Sequence, residues 1–150
     1  MIRRLDIVIA GLAVLLLLGC GGQSQKPLGK AQYGQKLNAY AQQFKASVEG
    51  SRGKIQGASD SGSKVAGLGE FRTEFDKLAT QLGRLAPPAV AKTAHDALVG
   101  TLHKGATDIG QVQDAVRTSD QAKAQSALQA LQGDNVQIQS EISDLQSKVK

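Results

Sequence analysis

The 150-residue chain has no tryptophan and only five other aromatic residues: Tyr33, Tyr40, Phe44, Phe71 and Phe75. That leaves few flat platforms for stacking bases or sugars. Base–aromatic stacking contributes roughly 1–3 kcal/mol per base in single-strand recognition, so no nucleic-acid partner is expected. There is one cysteine, which excludes an internal disulfide and any cysteine-based zinc cluster. There are two histidines, His95 and His103, and three prolines. No Gly-x-Ser-x-Gly elbow, phosphate-binding glycine loop, His-Glu-x-x-His or Cys-x-x-Cys-His pattern occurs. The sequence therefore offers no catalytic site, and a non-enzymatic protein without a cofactor is expected.

Hydrophobic residues make up 41% of the chain, enough for an aliphatic, alanine-rich core. The formal net charge is +5, and loss of the first 19 residues, with Arg3, Arg4 and Asp6, would leave +4. The charge is uneven. From Cys20 to Lys64 seven bases face Glu49 and Asp60, whereas acids slightly outnumber bases beyond that point. A basic segment of this kind serves as a solvated face or is drawn to anionic lipid head groups.

The position of the cysteine is more informative than its number. Arg3 and Arg4 precede an apolar run from Ile7 to Leu18, broken only by Gly11, and Gly19-Cys20-Gly21-Gly22 follows. A basic start, an apolar centre and small residues at the cut make the layout of a secretory signal. The run is shorter than the about 20 residues that a spanning helix requires. Leu17-Leu18-Gly19-Cys20 resembles the lipobox of bacterial lipoproteins. Leu18 is bulkier than is usual at its place, and Asp6 is out of keeping with a basic start. The resemblance implies diacylglycerol on the Cys20 sulfur, cleavage between Gly19 and Cys20, and a membrane-held domain outside the cytoplasm. In two-membrane bacteria, Gly21 in place of Asp argues against retention in the inner membrane. More than one acyl chain on Cys20 would give stable anchoring.

The expected organisation is a signal peptide over 1–19, a lipidated cysteine and flexible Gly-rich tether over 20–30, and a helical domain over 31–150. Four apolar stripes follow the helical period. The first is Tyr33, Leu37, Tyr40, Phe44 and Val48. The second runs from Val65 through Phe71, Phe75, Leu78 and Leu82 to Leu85. The third is Val90, Ala94, Leu98, Leu102, Ile109, Val112 and Val116. The fourth is Ala124, Leu128, Leu131, Asn135, Ile138, Ile142, Leu145 and Val149, a coiled-coil-like seam in which Asn135 either sets register or pairing or is a partly exposed polar residue near Gly133. Gly57–Ser63 reads as a loop and Pro87-Pro88 as a stop. Thr118 to Gln121 reads as a capping box. Gly133 falls inside the fourth stripe, whose phase carries across it. Short connections favour an all-α fold, an antiparallel up-down-up-down four-helix bundle.

Leu82-Gly-Arg-Leu85-Ala-Pro87-Pro88, followed by His95 and Leu98-Val99, resembles small uncharacterised helical lipoproteins of actinobacteria and related bacteria. The resemblance covers the middle third of the chain and implies a fold and a place, with no activity attached. The leading expectation is a lipid-anchored cell-envelope helical bundle, a binding or structural module. The glutamine-rich face of the last helix would suit an envelope protein partner. The alternative is an extracytoplasmic carrier of a small ligand or metal, using His95 with Asp96, Glu70, Glu74 and Asp76. His103 lies two turns from His95, roughly 12 Å along one helix, too far for both to hold one metal.

Overall fold

A computed structural model describes residues 26–150, which form four long helices packed against one another with no strand among them. Helix α1 spans Lys30–Gly57, α2 Ser61–Gly83, α3 Lys92–Thr118 and α4 Gln121–Val149, and a short 3-10 turn, Ala89–Ala91, leads into α3. The lipobox and Cys20 lie outside the described residues.

Local chemistry sets the boundaries. The expected loop over Gly57–Ser63 contracts to three residues because Asp60 caps α2. Its carboxylate accepts from the Ser63 N–H at 2.8 Å and the Ser63 hydroxyl at 2.7 Å, which draws Ser61–Ser63 into the helix. Between α3 and α4 the expected capping box is replaced by another device. Ser119 takes a left-handed conformation, φ 56°, and the Asp120 N–H closes back onto the Ala115 carbonyl at 2.9 Å. Thr118 stays in α3, donating to the Asp114 carbonyl at 3.0 Å. Asp120 caps α4 by accepting from the Lys123 N–H at 3.0 Å. A carboxylate next to the first turn thus displaces the hydroxyl two residues upstream.

The described end of the expected tether is docked. The Leu28 N–H donates to the Ala86 carbonyl at 2.9 Å in the proline turn, and the Leu28 side chain packs against the core.

Helix α3 is the centre of the molecule. Eleven of its residues are buried, against three each in α1 and α4. Tyr33, Leu37, Leu78, Leu82, Leu98, Leu102 and Leu145 share one core with Ala79, Ala91 and Ala94. Small residues let the helices approach. A Cβ at Gly105 would stand 3.0 Å from the Phe75 ring, so glycine there lets α2 lay an aromatic face directly on α3. Consecutive helices form the main interfaces, and α1 and α4 meet only slightly. Lys54 reaches Glu70, the Gln113 side chain reaches the Val65 carbonyl, and Thr101 reaches Glu141.

The fourth stripe departs from its expected phase in its first half. From Ile138 to Val149 it packs on the core as expected, with Leu145 fully buried, and Asn135 is exposed. Leu128 is 48% exposed, whereas Ala127 and Asp134, off the stripe, are buried. The reason is a polar contact from α3. The Lys104 ammonium donates to Asp108 and to Asp134, both at 2.7 Å, which turns Asp134 inward.

Helix α4 continues through Gly133, where an added Cβ would meet nothing within 4 Å. Gly133→Ala should therefore stabilise the chain by about 1 kcal/mol, through helix propensity alone. Equilibrium unfolding in urea measures this, and a loss of stability would mean that the position requires glycine for contacts not seen here.

Candidate functional site

The sequence candidates are not brought together. His95 is 3% exposed, and its Nδ1 lies 2.8 Å from the Tyr33 hydroxyl, across 62 residues of chain. The two rings meet edge-on, with centroids 5.7 Å apart. Burial holds the His95 imidazole below its ordinary value, opposed by the Asp96 carboxylate and reinforced by Lys92. Burial, with Asp96 adding to it, pushes the Tyr33 hydroxyl up to about 12, so it remains a donor.

The acids near His95 in sequence are engaged elsewhere. Glu70 pairs with Lys54, Glu74 with Lys77, Asp76 with Arg72 and His103, and Asp96 with Lys92. No group of three potential ligands stands together among the described residues. His95 does line a cleft of about 520 Å³ with Pro27, Ala86, Lys92 and Asp96, but its Nδ1 faces Tyr33. The pair acts as a buried hydrogen-bonded strut between α1 and α3.

A polar centre lies between α3 and α4. Lys104, Asp108 and Asp134 form an ion triad, and Glu141 accepts from Thr101 at 2.9 Å and from Gln137 at 3.0 Å. The carboxylates pull the Lys104 ammonium above its ordinary value. The second oxygens of Asp134 and Glu141 are buried without a hydrogen-bond partner. The seven-residue step from Asp134 to Glu141 was visible in the sequence, but only the fold shows that it faces inward. The triad holds the α3–α4 register.

The strongest candidate site lies where α1 and α4 part. They approach at one end, where Gly34 meets the Val149 side chain, and leave a groove of about 240 Å³ beyond it. Leu37, Ala41 and Phe44 form one wall, and Ile138 and Ile142 form the other. Leu78 and Leu82 from α2, with Leu98 and Leu102 from α3, make the floor. Phe75 closes one end, its ring edge-on to Phe44 with centroids 5.0 Å apart. Asn38, Asn135, Gln139 and Gln146 complete the lining, so Asn135 marks the rim of a groove and not a buried register position. This arrangement can hold an apolar body. It contains no nucleophile, acid–base pair or ionised group.

No family model, curated protein or solved structure matches the chain. No helix among the described residues is long and apolar enough to cross a membrane.

Proposed function

We propose that this chain is a non-enzymatic binding module of the cell envelope, held on a membrane by lipid on Cys20. In this reading its four helices run up-down-up-down as an antiparallel bundle, and the groove between α1 and α4 is its binding site. The observation that carries the binding role is that groove, lined by apolar side chains from all four helices and free of charged residues. Paired contacts support opposite directions for successive helices: Phe44 with Phe75 and Lys54 with Glu70, Val65 with Gln113 and Phe75 with Gly105, Thr101 with Glu141 and Lys104 with Asp134. The lipobox resemblance supports the anchor, and the basic residues from Lys26 to Lys64 would favour an anionic surface. The glutamine-rich outer face of α4 leaves room for an envelope protein partner.

The anchor is tested by mass spectrometry of the protein recovered from bacterial membranes. The expected N-terminal peptide begins at Cys20 and carries diacylglyceryl and acyl mass. Cys20→Ser should abolish both the cleavage and the added mass. A free thiol on Cys20 in the wild-type protein would overturn the anchored reading.

A further inference from the structure

The hydrogen bond between Tyr33 and His95 has a direction set by its surroundings. Tyr33 is 0% exposed, and among the described residues its hydroxyl meets one partner, His95 Nδ1. If Nδ1 carried the ring proton, the hydroxyl hydrogen would be buried with no acceptor. The hydroxyl therefore donates, Nδ1 accepts, and the proton of the neutral ring sits on Nε2. Nε2 has no hydrogen-bond partner among the described residues and is not one of the polar atoms sealed from solvent. It opens on the cleft that the ring lines with Lys92 and Asp96. Water thus reaches the nitrogen that is already protonated, and a second proton has to go to Nδ1. There it would face the hydroxyl as a competing donor, and the hydroxyl could accept it only by stranding its own hydrogen in the core.

The facing elements do not compensate such a charge. Helix α1 brings Tyr33 as its titratable group. The charges acting on the ring are Asp96 and Lys92, both on α3, which oppose one another and are paired at 2.6 Å. The end of α2 and the turn after it meet the cleft with Gly83, Leu85, Ala86 and Pro87, and no charge on α2 or α4 acts on the ring.

The bond holds a segment with few other attachments. Tyr33 and Leu37 are the buried residues in the first half of α1, which touches α4 where Gly34 meets Val149. The second half is fixed to α2 separately. Phe44 lies edge-on to Phe75, Lys54 pairs with Glu70, and a Cβ added at Gly67 would stand 2.8 Å from Ile55. None of these contacts involves His95, and α3 packs on α2 and α4 without α1.

We propose that the Tyr33–His95 bond is a proton-operated latch: a proton on His95 Nδ1 takes away the acceptor of Tyr33 and releases Lys30–Tyr40 from the core while the other helices stay packed. This goes beyond the binding reading and stands whether or not the groove holds a ligand.

The test is hydrogen exchange of the full chain in lipid nanodiscs, read by mass spectrometry and corrected for the chemical exchange rate at each pH. Peptides from Lys30–Tyr40 should exchange faster than those from Leu102–Val112, with a shallower dependence on urea, because they open without global unfolding. Between pH 7.5 and 5.5 their protection should fall by about tenfold, the limit for one proton taken up on opening against the ordinary value of 6.5. His95→Asn offers a carbonyl oxygen near the place of Nδ1 and cannot titrate, so it should flatten that response. Tyr33→Phe, which keeps the ring, should open Lys30–Tyr40 already at pH 7.5 and respond less to acid. His103→Gln should leave the response intact, since His103 is exposed and pairs with Asp76.

Equal protection and equal urea dependence in Lys30–Tyr40 and Leu102–Val112 would show that only global unfolding exposes His95, and would overturn the proposal. So would protection of Lys30–Tyr40 that ignores pH, or an acid response that survives in His95→Asn. Should His95→Asn fail to fold, an undiminished acid response in Tyr33→Phe would overturn it equally.

Discussion

Tyr33→Ala is expected to lower the unfolding free energy by about 4 kcal/mol, in the range for removing a fully buried aromatic side chain. Tyr33 is completely enclosed and is one of only three buried residues in α1, with Leu37 and Ser51. Its ring packs into the core shared by α2 and α3, and its hydroxyl meets His95. Because α1 meets α4 only slightly, its first half is seated in the core by Tyr33 and Leu37, with Tyr40 and Phe44 packed against it. In urea the midpoint should fall by about 2 M without a change in slope. A shift below about 0.5 M would mean that α1 is held by something else.

Tyr33→Phe keeps the ring but leaves the buried His95 Nδ1 unpartnered, which costs about 1–3 kcal/mol. The same pair makes stability depend on pH. The unfolded chain binds a proton at His95 near the ordinary value of 6.5, whereas the folded chain resists it. Between those two points the unfolded state holds more protons. His95 therefore contributes stability that is fully present above pH 6.5 and lost as pH falls below it. Urea midpoints measured across this window should decline with acidification in the wild type, and more shallowly in His95→Gln.

Lys104→Met should cost about 3 kcal/mol, toward the lower end for breaking a buried ion pair because the ammonium itself is solvent-accessible. The cost comes from what remains. The Asp108 and Asp134 side chains are 8% and 5% exposed, and both would lose their cation. Neutralising the survivors should undo the damage. Lys104→Met combined with Asp108→Asn and Asp134→Asn is expected to recover most of the loss, since a buried neutral pair avoids the unpaired charges. Urea unfolding of the two variants decides this. A single-variant loss below about 1 kcal/mol, or no recovery in the triple variant, would show that the triad does not secure the α3–α4 contact.

The four helices were legible because apolar residues recur at the helical period, from Tyr33 to Val48 and again from Ala94 to Val112. The proline stop after Leu85 and the continuity of α4 through Gly133 were legible on the same basis. The phase of the first half of α4 was not, although from Ile138 to Val149 the stripe holds. A pattern reading places leucine inside and aspartate outside, yet Leu128 is outside and Asp134 inside, because Lys104 approaches from α3 and holds the Asp134 carboxylate against it, while Ala127 takes the buried place beside Leu128. The partner of His95 was equally hidden, since periodicity gives the face of a helix and not the residue 62 positions away that meets it. The groove was least legible of all. Its lining comes from all four helices, and stripes on separate helices carry no information about how far α1 stands from α4.

The hydrogen bond from Leu28 to Ala86 fixes the domain's point of departure at one end of α1. In the anchored reading, the eight residues from Cys20 to Pro27 then span at most about 29 Å. Helix α1, with 28 residues, is about 42 Å long. The leash is shorter than the body it holds. Leu37, at the start of the groove, lies only about two turns beyond Lys30. A domain held this way can swing its far end widely, but its groove stays within a short radius of the bilayer. Confinement of that kind raises the effective concentration of any molecule leaving the membrane, so even a weak site would be visited often.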